Sequence, residues 1–175
     1  FGFTSEEGEQ TLEFYDLKEN MTKGREWYDG YQFGTTEVYN PWSVINYLQD
    51  CFKNKNSLMH PYWSNTSSNS IVRRLVENAD ISAKQEIEAL IEGGTITKPI
   101  HEDITYDDMD STQDNLWNFL FFTGYLKKIS ERQEGETIYI EMAIPNREVR
   151  YIYKRTVLRW FEEKTEQKEL TPLYE

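Results

Sequence analysis

Two stretches in which apolar residues alternate with polar ones interrupt a chain whose other apolar residues recur at helical spacing. The first stretch, residues 31–39, combines aromatic and β-branched residues around a turn containing Gly34. The second pairs residues 125–130 with 137–144 around Glu134-Gly135. Because side chains on a strand repeat every two residues and those on a helix about every 3.6, these stretches predict hairpins between helices. The expected fold is mainly α with two short β-hairpins.

Three predicted helices begin with residues suited to cap the first turn. Thr4 and Glu7 have the spacing of a capping box, Asn40 precedes a proline at the first helical position, and Asn146 precedes the last helix. A further helix is expected over residues 18–28. The helix after Asn40 is expected to bury the face made of Trp42, Ile45, Leu48 and Phe52.

The second half of the chain has the element order of a winged helix. Ser82 is expected to cap a helix over residues 83–92, and Thr95-Ile96-Thr97 favours a short strand. A helix over residues 114–123 and the second hairpin follow. Helix, strand, helix and two-stranded hairpin is the order typical of winged-helix modules.

The polar tetrad Lys53-Asn54-Lys55-Asn56 is the predicted internal boundary. Residues 1–56 are interpreted as a helical lid remnant with a short hairpin. Residues 57–165 are interpreted as a winged-helix-like module, and residues 166–175 as a charged tail or linker. Because the chain begins at Phe1 rather than Met, we expect it to be part of a longer protein.

The charge balance disfavours a general nucleic-acid scaffold. The chain has 19 basic and 31 acidic residues, a net charge of −12 at pH 7, which repels phosphate polyanions. No apolar run approaches the roughly 18 residues of a membrane helix. The single Cys51 cannot form an internal disulfide and is interpreted as a buried structural thiol. We expect a cytoplasmic protein with no membrane contact.

No complete catalytic or metal-binding motif occurs in the sequence. A phosphate loop requires Gly before Lys, and no Gly precedes a Lys here. Residues 104–108 resemble a magnesium-binding strand end only faintly, and residues 162–164 have the letters of a nuclease motif on a helix. Residues 101–103 lack the Gly-centred loop of calcium sites. We expect no cofactor and no enzymatic activity in this chain.

The basic residues avoid the helix that would enter a DNA groove. Residues 114–123 contain no Lys or Arg, and we therefore expect no binding to duplex DNA. Basic residues gather instead on the second hairpin and along one flank of the last helix. A solvated face is the default interpretation of that flank, and contact with an acidic partner surface is the alternative. The flank consists of Arg147, Arg150 and Lys154.

Aromatic residues interleaved with turn residues form motifs that recur in order along nearly the whole chain. These motifs are Trp27-Tyr28-Asp29-Gly30-Tyr31, Phe33-Gly34, Tyr39-Asn40-Pro41-Trp42-Ser43, Tyr62-Trp63, Asn65-Thr66-Ser67-Ser68-Asn69, Phe122-Thr123-Gly124-Tyr125-Leu126 and Ile144-Pro145-Asn146-Arg147-Glu148-Val149. In combination they resemble the middle segment of the bacterial AAA-ATPase-like proteins that end in a PD-(D/E)XK nuclease domain. The chain lacks both catalytic ends of that family, so no catalytic residue is carried over.

The resemblance implies a connector. Residues up to about Cys51 correspond to the last helices of an ATPase-like domain, and a winged-helix-like connector follows. The implied partners are an N-terminal ATPase core, which would use ATP and Mg, and a C-terminal effector domain. This chain would couple the two without catalysis. The alternatives are a free-standing protein-interaction module and a winged-helix DNA-binding protein.

A helical unit that packs against a separate ATPase core should leave apolar area uncovered in this chain. An exposed patch above roughly 400 Å² exceeds what a solitary soluble domain usually tolerates, and self-association could hide it. Stacking of the aromatic run on a base or sugar is a second possibility, although a packed mini-core is the favoured interpretation. The candidate interaction residues are Phe1, Phe3, Phe14, Tyr31, Phe33 and Tyr39.

Overall fold

The computed structural model describes residues 3–33, 35–65, 68–101 and 113–170. Within these ranges it contains seven α-helices and two small antiparallel sheets, which confirms the predicted mainly α fold with short β elements. The helices are α1 (Ser5–Phe14), α2 (Met21–Tyr28), α3 (Pro41–Lys53), α4 (Ser68–Asn78), α5 (Ile81–Ile91), α6 (Gln113–Phe122) and α7 (Arg147–Leu170). The strands are β1 (Phe3–Thr4), β2 (Tyr31–Phe33), β3 (Thr36–Tyr39), β4 (Ile96–Ile100), β5 (Lys127–Glu134) and β6 (Thr137–Ala143).

The first sheet has the order β1-β3-β2. The predicted hairpin supplies β2 and β3, and the two-residue strand β1 adds an edge that the sequence pattern did not indicate. The capping box at the start of α1 forms as predicted: the Glu7 amide donates to the Thr4 hydroxyl at 3.2 Å, and the Thr4 amide donates to the Glu7 carboxylate at 3.0 Å. The short strand and the cap together fix where α1 begins.

The buried face of α3 differs from the predicted one. Asn40 caps the helix as expected, accepting from the Trp42 amide at 3.1 Å. Leu48 is buried as predicted, but Trp42, Ile45 and Phe52 are 56%, 45% and 71% exposed, so the prediction that these three are buried is wrong. The helix packs instead through a second set at helical spacing, which forms the N-terminal core with Leu12, Tyr28 and Tyr39. That set is Val44, Tyr47, Leu48 and Cys51.

The C-terminal core lies between the second sheet, of order β4-β6-β5, and helices α4 to α7. Trp117 and Leu120 of α6 and Met142 of β6 are fully buried in it. The cap of α5 is Asp80, whose carboxylate accepts from the Ala83 amide at 2.8 Å, so the assignment of Ser82 as the cap is wrong. Asp80 takes this position because α5 begins two residues earlier than predicted.

Helix α7 begins at the predicted Asn146 cap and is 24 residues long. Its backbone runs through the boundary predicted after residue 165 and ends at Leu170, so residues 166–170 are helical. Residues 171–175 of the predicted tail lie outside the described residues. A transmembrane span would need a long apolar helix, and the described residues contain none.

Candidate functional site

The two cores meet at a buried carboxyl group on the first turn of α7. Glu148 is fully buried, and its two carboxyl oxygens lie 2.7 and 2.8 Å from the Ser43 hydroxyl of α3. The backbone N–H of Trp63 donates to the same group at 2.8 Å. Burial raises the pKa of Glu148 to about 7, while the hydrogen bonds from Trp63 and Ser43 limit the rise. Three segments of the chain are therefore tied together by one titratable group.

A second set of contacts closes the same junction. The Asn146 side chain donates to the carbonyl of Asp29 at 2.8 Å and accepts from the Val149 amide at 3.0 Å. Gly30 has a φ of +95°, and a Cβ atom there would lie 2.5 Å from the carbonyl oxygen of Pro145. The backbone after α2 thus lies directly against the backbone before α7, at an approach that glycine permits. Hereafter, "the junction" means Asp29, Gly30, Ser43, Trp63 and residues 145–148.

A groove of about 560 Å³ opens beside the junction. Tyr31 lies in it with its ring 6.0 Å from that of Trp63, edge to face, and Trp63 in turn stacks on Tyr125 at 4.7 Å. A Cβ atom on Gly124 would lie 3.3 Å from the Tyr31 ring, so the ring covers this glycine, whose φ is +83°. The volume is within the range of roughly 300–1,000 Å³ found for ligand pockets.

The groove is apolar, with polar groups at a few points. Phe121 and Phe122 line it from α6, and Lys127 and Lys128 line it from β5. The Lys128 ammonium pairs with Glu131 at 3.0 Å. Burial raises the pKa of the Tyr31 hydroxyl, and the neighbouring Asn146 and Asn40 side chains oppose part of that rise. Such a surface suits an apolar protein segment better than a polar metabolite.

A cluster of three aromatic side chains lies on the surface of the N-terminal unit. Phe14 at the end of α1 is 81% exposed, Phe52 at the end of α3 is 71% exposed, and Tyr15 between them is 37% exposed. The Tyr15 ring is 5.1 Å from Phe14 and 5.0 Å from Phe52, both edge to face. These three residues, hereafter the aromatic cluster, form an apolar patch in contact with solvent.

Comparison with known proteins gives no match. No protein-family model, no curated protein and no solved structure matches this chain. The resemblance to AAA-ATPase-like proteins therefore depends on the motifs alone and stays a prediction.

The predicted aromatic interaction residues have different environments. Phe14 is exposed, Tyr31 lines the groove and Phe3 is half-buried against the N-terminal core. Tyr39 also lines the groove but is 1% exposed, so the expectation that it leaves apolar area uncovered is wrong. Its ring packs on α1 where Gly8 leaves space, since a Cβ atom there would lie 2.7 Å from the ring. Phe1 and the side chain of Phe33 lie outside the described residues.

The predicted basic flank of α7 does not act as one surface. Arg147 pairs with Glu26 at 3.2 Å, which links α7 to α2. Arg150 is half-buried, with its guanidinium 4.0 Å from the Cβ position of Gly93. Lys154 is exposed. Arg147 and Lys154 are therefore exposed to solvent, as expected for a partner contact, whereas Arg150 is not.

Most residues of the acidic motifs that could bind a metal lie outside the described residues. His101 is exposed, whereas residues 102–112 and the side chains of residues 162–164 lie outside the described residues. In the part of the chain that is described, no group of three His, Cys, Asp or Glu side chains is placed to hold a metal ion.

The sequence patterns did not indicate the aromatic cluster or the hydrogen bond between Ser43 and Glu148. Phe52 has the helical spacing of the predicted buried face, and no motif in the sequence marks Tyr15. The bond joins residues 105 positions apart, so no local pattern indicates it. One available sign was the alternative helical set containing Val44 and Cys51, which places Phe52 on the outer side of α3.

Proposed function

We propose that this chain is a non-catalytic connector that couples an ATPase-like core to a downstream effector domain. The observation that carries the proposal is the aromatic cluster of Phe14, Tyr15 and Phe52. It lies on the unit that resembles the end of an ATPase-like domain. Aromatic side chains are enriched in the centres of protein interfaces, and exposing them in a monomer is unfavourable. The proposed contact for the ATPase-like partner is this cluster.

Helix α3 provides the route from that contact to the second unit. Phe52 is at its C-terminal end and Ser43 is at its N-terminal end, nine residues away, which is about 13 Å along a helix. The Ser43 hydroxyl donates a hydrogen bond to the carboxyl group of Glu148 on α7. A partner that shifts α3 at Phe52 would therefore displace the Ser43 hydroxyl relative to α7. The junction is the proposed point of transmission.

The second unit fits the winged-helix-like role in the proposal. Its strand order β4-β6-β5, with α6 before the hairpin, supports that interpretation. Asn118 of α6 is fully buried, donating to the Pro99 carbonyl at 3.1 Å and accepting from the His101 amide at 2.8 Å. An amide used in this way is not available to read bases, which favours a protein partner over DNA.

A free-standing protein-interaction module is the second candidate. The groove favours it, because its aromatic lining and the nearby Lys127 suit a segment with apolar side chains and one acidic group. This candidate requires no ATPase-like domain. The two proposals therefore place the partner on different surfaces.

The test is a binding measurement with the ATPase-like domain of the same reading frame. Calorimetry would compare the wild-type chain with F52S and with I81S, a control at another exposed apolar residue on α5, 75% exposed. We expect F52S to weaken binding at least about tenfold and I81S to leave it unchanged. A reading frame without an ATPase-like domain would refute the connector. Weakening by F122S in the groove, with F52S silent, would overturn the aromatic cluster as the contact for the ATPase-like domain and assign that contact to the groove.

A further inference from the structure

A second pocket, of about 220 Å³, is lined by three arginine side chains. Arg155 and Arg159 are one turn apart on α7, and Arg73 comes from α4. Ser64 and Ser70 add hydroxyl groups to the lining. No residue is shared with the groove beside the junction. The pocket, hereafter the arginine pocket, is therefore a separate feature of the molecule.

The three arginines have no carboxylate partner in the described part of the chain. Other basic residues do: Arg25, Arg132 and Arg147 each pair with a glutamate there. Arg73 and Arg159 are nevertheless half-buried. Like charges that share a partly buried pocket repel one another unless an anion lies between them. An anion in the pocket would offset this repulsion.

The shape and chemistry of the pocket indicate the kind of anion. Its volume is below the roughly 300 Å³ at which drug-sized ligand pockets begin, so it fits a compact group. Guanidinium groups bind phosphate through paired N–H donors, and a phosphate ester offers up to two charges and three oxygens. Ser70 is in the first turn of α4, whose N-terminal dipole adds positive potential.

We propose that the arginine pocket binds a phosphate group. The phosphate is carried either by a free small molecule or by a phosphorylated side chain of a partner protein. Arg73, Arg155 and Arg159 donate to its oxygens, with the Ser64 hydroxyl at the edge of the pocket. The proposal is independent of the connector function, because it involves neither the aromatic cluster nor the groove.

The test is a titration of the full chain with inorganic phosphate at low ionic strength, followed by NMR of the arginine side-chain N–H groups. We expect saturable one-to-one binding. R155Q and R159Q should each weaken it about tenfold, the loss of one charge-assisted hydrogen bond. The matched control is K154Q, which removes an exposed charge on the same helix but outside the pocket. Circular dichroism would establish that each variant is folded, and R155Q changes an exposed residue.

Two further arms identify the source of the phosphate. A phosphoserine peptide that binds more tightly than inorganic phosphate, while its unphosphorylated form does not bind, indicates a protein source. Equal affinity for the peptide and the ion indicates a free small molecule. The proposal is overturned if tens of millimolar phosphate produce no saturable shift at the three arginines. It is equally overturned if K154Q weakens binding as much as R159Q does.

Discussion

Glu148 makes the stability of the molecule depend on the protonation of one buried carboxyl group. Its pKa is raised from 4.5 to about 7 in the folded chain by burial. Between those two values the folded state keeps a proton that the unfolded state has released. The free energy of unfolding therefore falls as pH rises from about 4.5 to about 7 and is level above that range. The full effect of this shift is on the order of 3 kcal/mol.

Replacing Glu148 with Gln should remove this pH dependence. Urea unfolding at about pH 5 and about pH 8 should show that the wild type loses roughly 2–3 kcal/mol more than E148Q between the two conditions. The comparison cancels the titration of groups common to both proteins. Equal losses in the two proteins would mean that Glu148 has an ordinary pKa, because its hydrogen bonds offset the effect of burial on that pKa.

Gly30 and Gly135 provide a matched pair at which to test the close approach at the junction. Both have positive φ, 95° and 62°, but a Cβ atom on Gly30 would lie 2.5 Å from the Pro145 carbonyl oxygen, whereas one on Gly135 meets nothing within 4 Å. We expect G135A to cost about 1 kcal/mol from backbone strain alone. G30A should cost at least about 2 kcal/mol more, measured by urea unfolding. Similar costs would show that α7 moves away from Gly30 easily.

At the level of elements, local chemistry was sufficient to predict where most helices begin. Thr4, Asn40 and Asn146 all cap helices as the sequence indicates, because a cap depends on residues within one turn. The face that a helix buries depends on its neighbours. In α3 two sets of residues had helical spacing, and contact with α1 and α2 selected the set containing Val44.

Two alanine substitutions on α3 distinguish these faces. V44A removes methyl groups from a side chain that is 4% exposed and should cost about 2 kcal/mol. I45A changes a larger side chain that is 45% exposed and should cost less than about 1 kcal/mol. Thermal or urea unfolding would show which of the two variants loses more unfolding free energy. The reverse order would restore the face predicted from the sequence.

At the scale of the whole molecule, the sequence predicted the fold class but only part of the candidate site. Phe14, a candidate interaction residue, is exposed at the end of α1, while its contact with a partner stays a prediction. The burial of Tyr39 could not be predicted from the local sequence, because it requires α1 to pass over β3 at Gly8. The arginine pocket joins α4 to α7 across more than 80 residues, and such a pairing is set by tertiary packing.

The aromatic cluster should also affect how the isolated chain behaves at high concentration. We expect weak self-association through Phe14 and Phe52, since covering them removes apolar surface from water. Sedimentation velocity should show a concentration dependence in the wild type that the double variant F14S/F52S lacks. I81S, at an exposed residue elsewhere, should behave as the wild type. Equal behaviour of all three proteins would exclude the cluster as a self-association surface.

The rate at which Cys51 reacts with a thiol reagent should report how often the N-terminal core opens. It is the chain's single cysteine, and it lies in that core at 6% exposure, directly before Phe52. A thiol reagent can reach it only when α3 separates from its neighbours, so the labelling rate measures how often that core opens. If labelling and urea unfolding give the same free energy, the two cores open together. If labelling gives a smaller free energy than urea unfolding, the N-terminal core opens alone. The opening then does not extend beyond the Ser43–Glu148 contact into the C-terminal core.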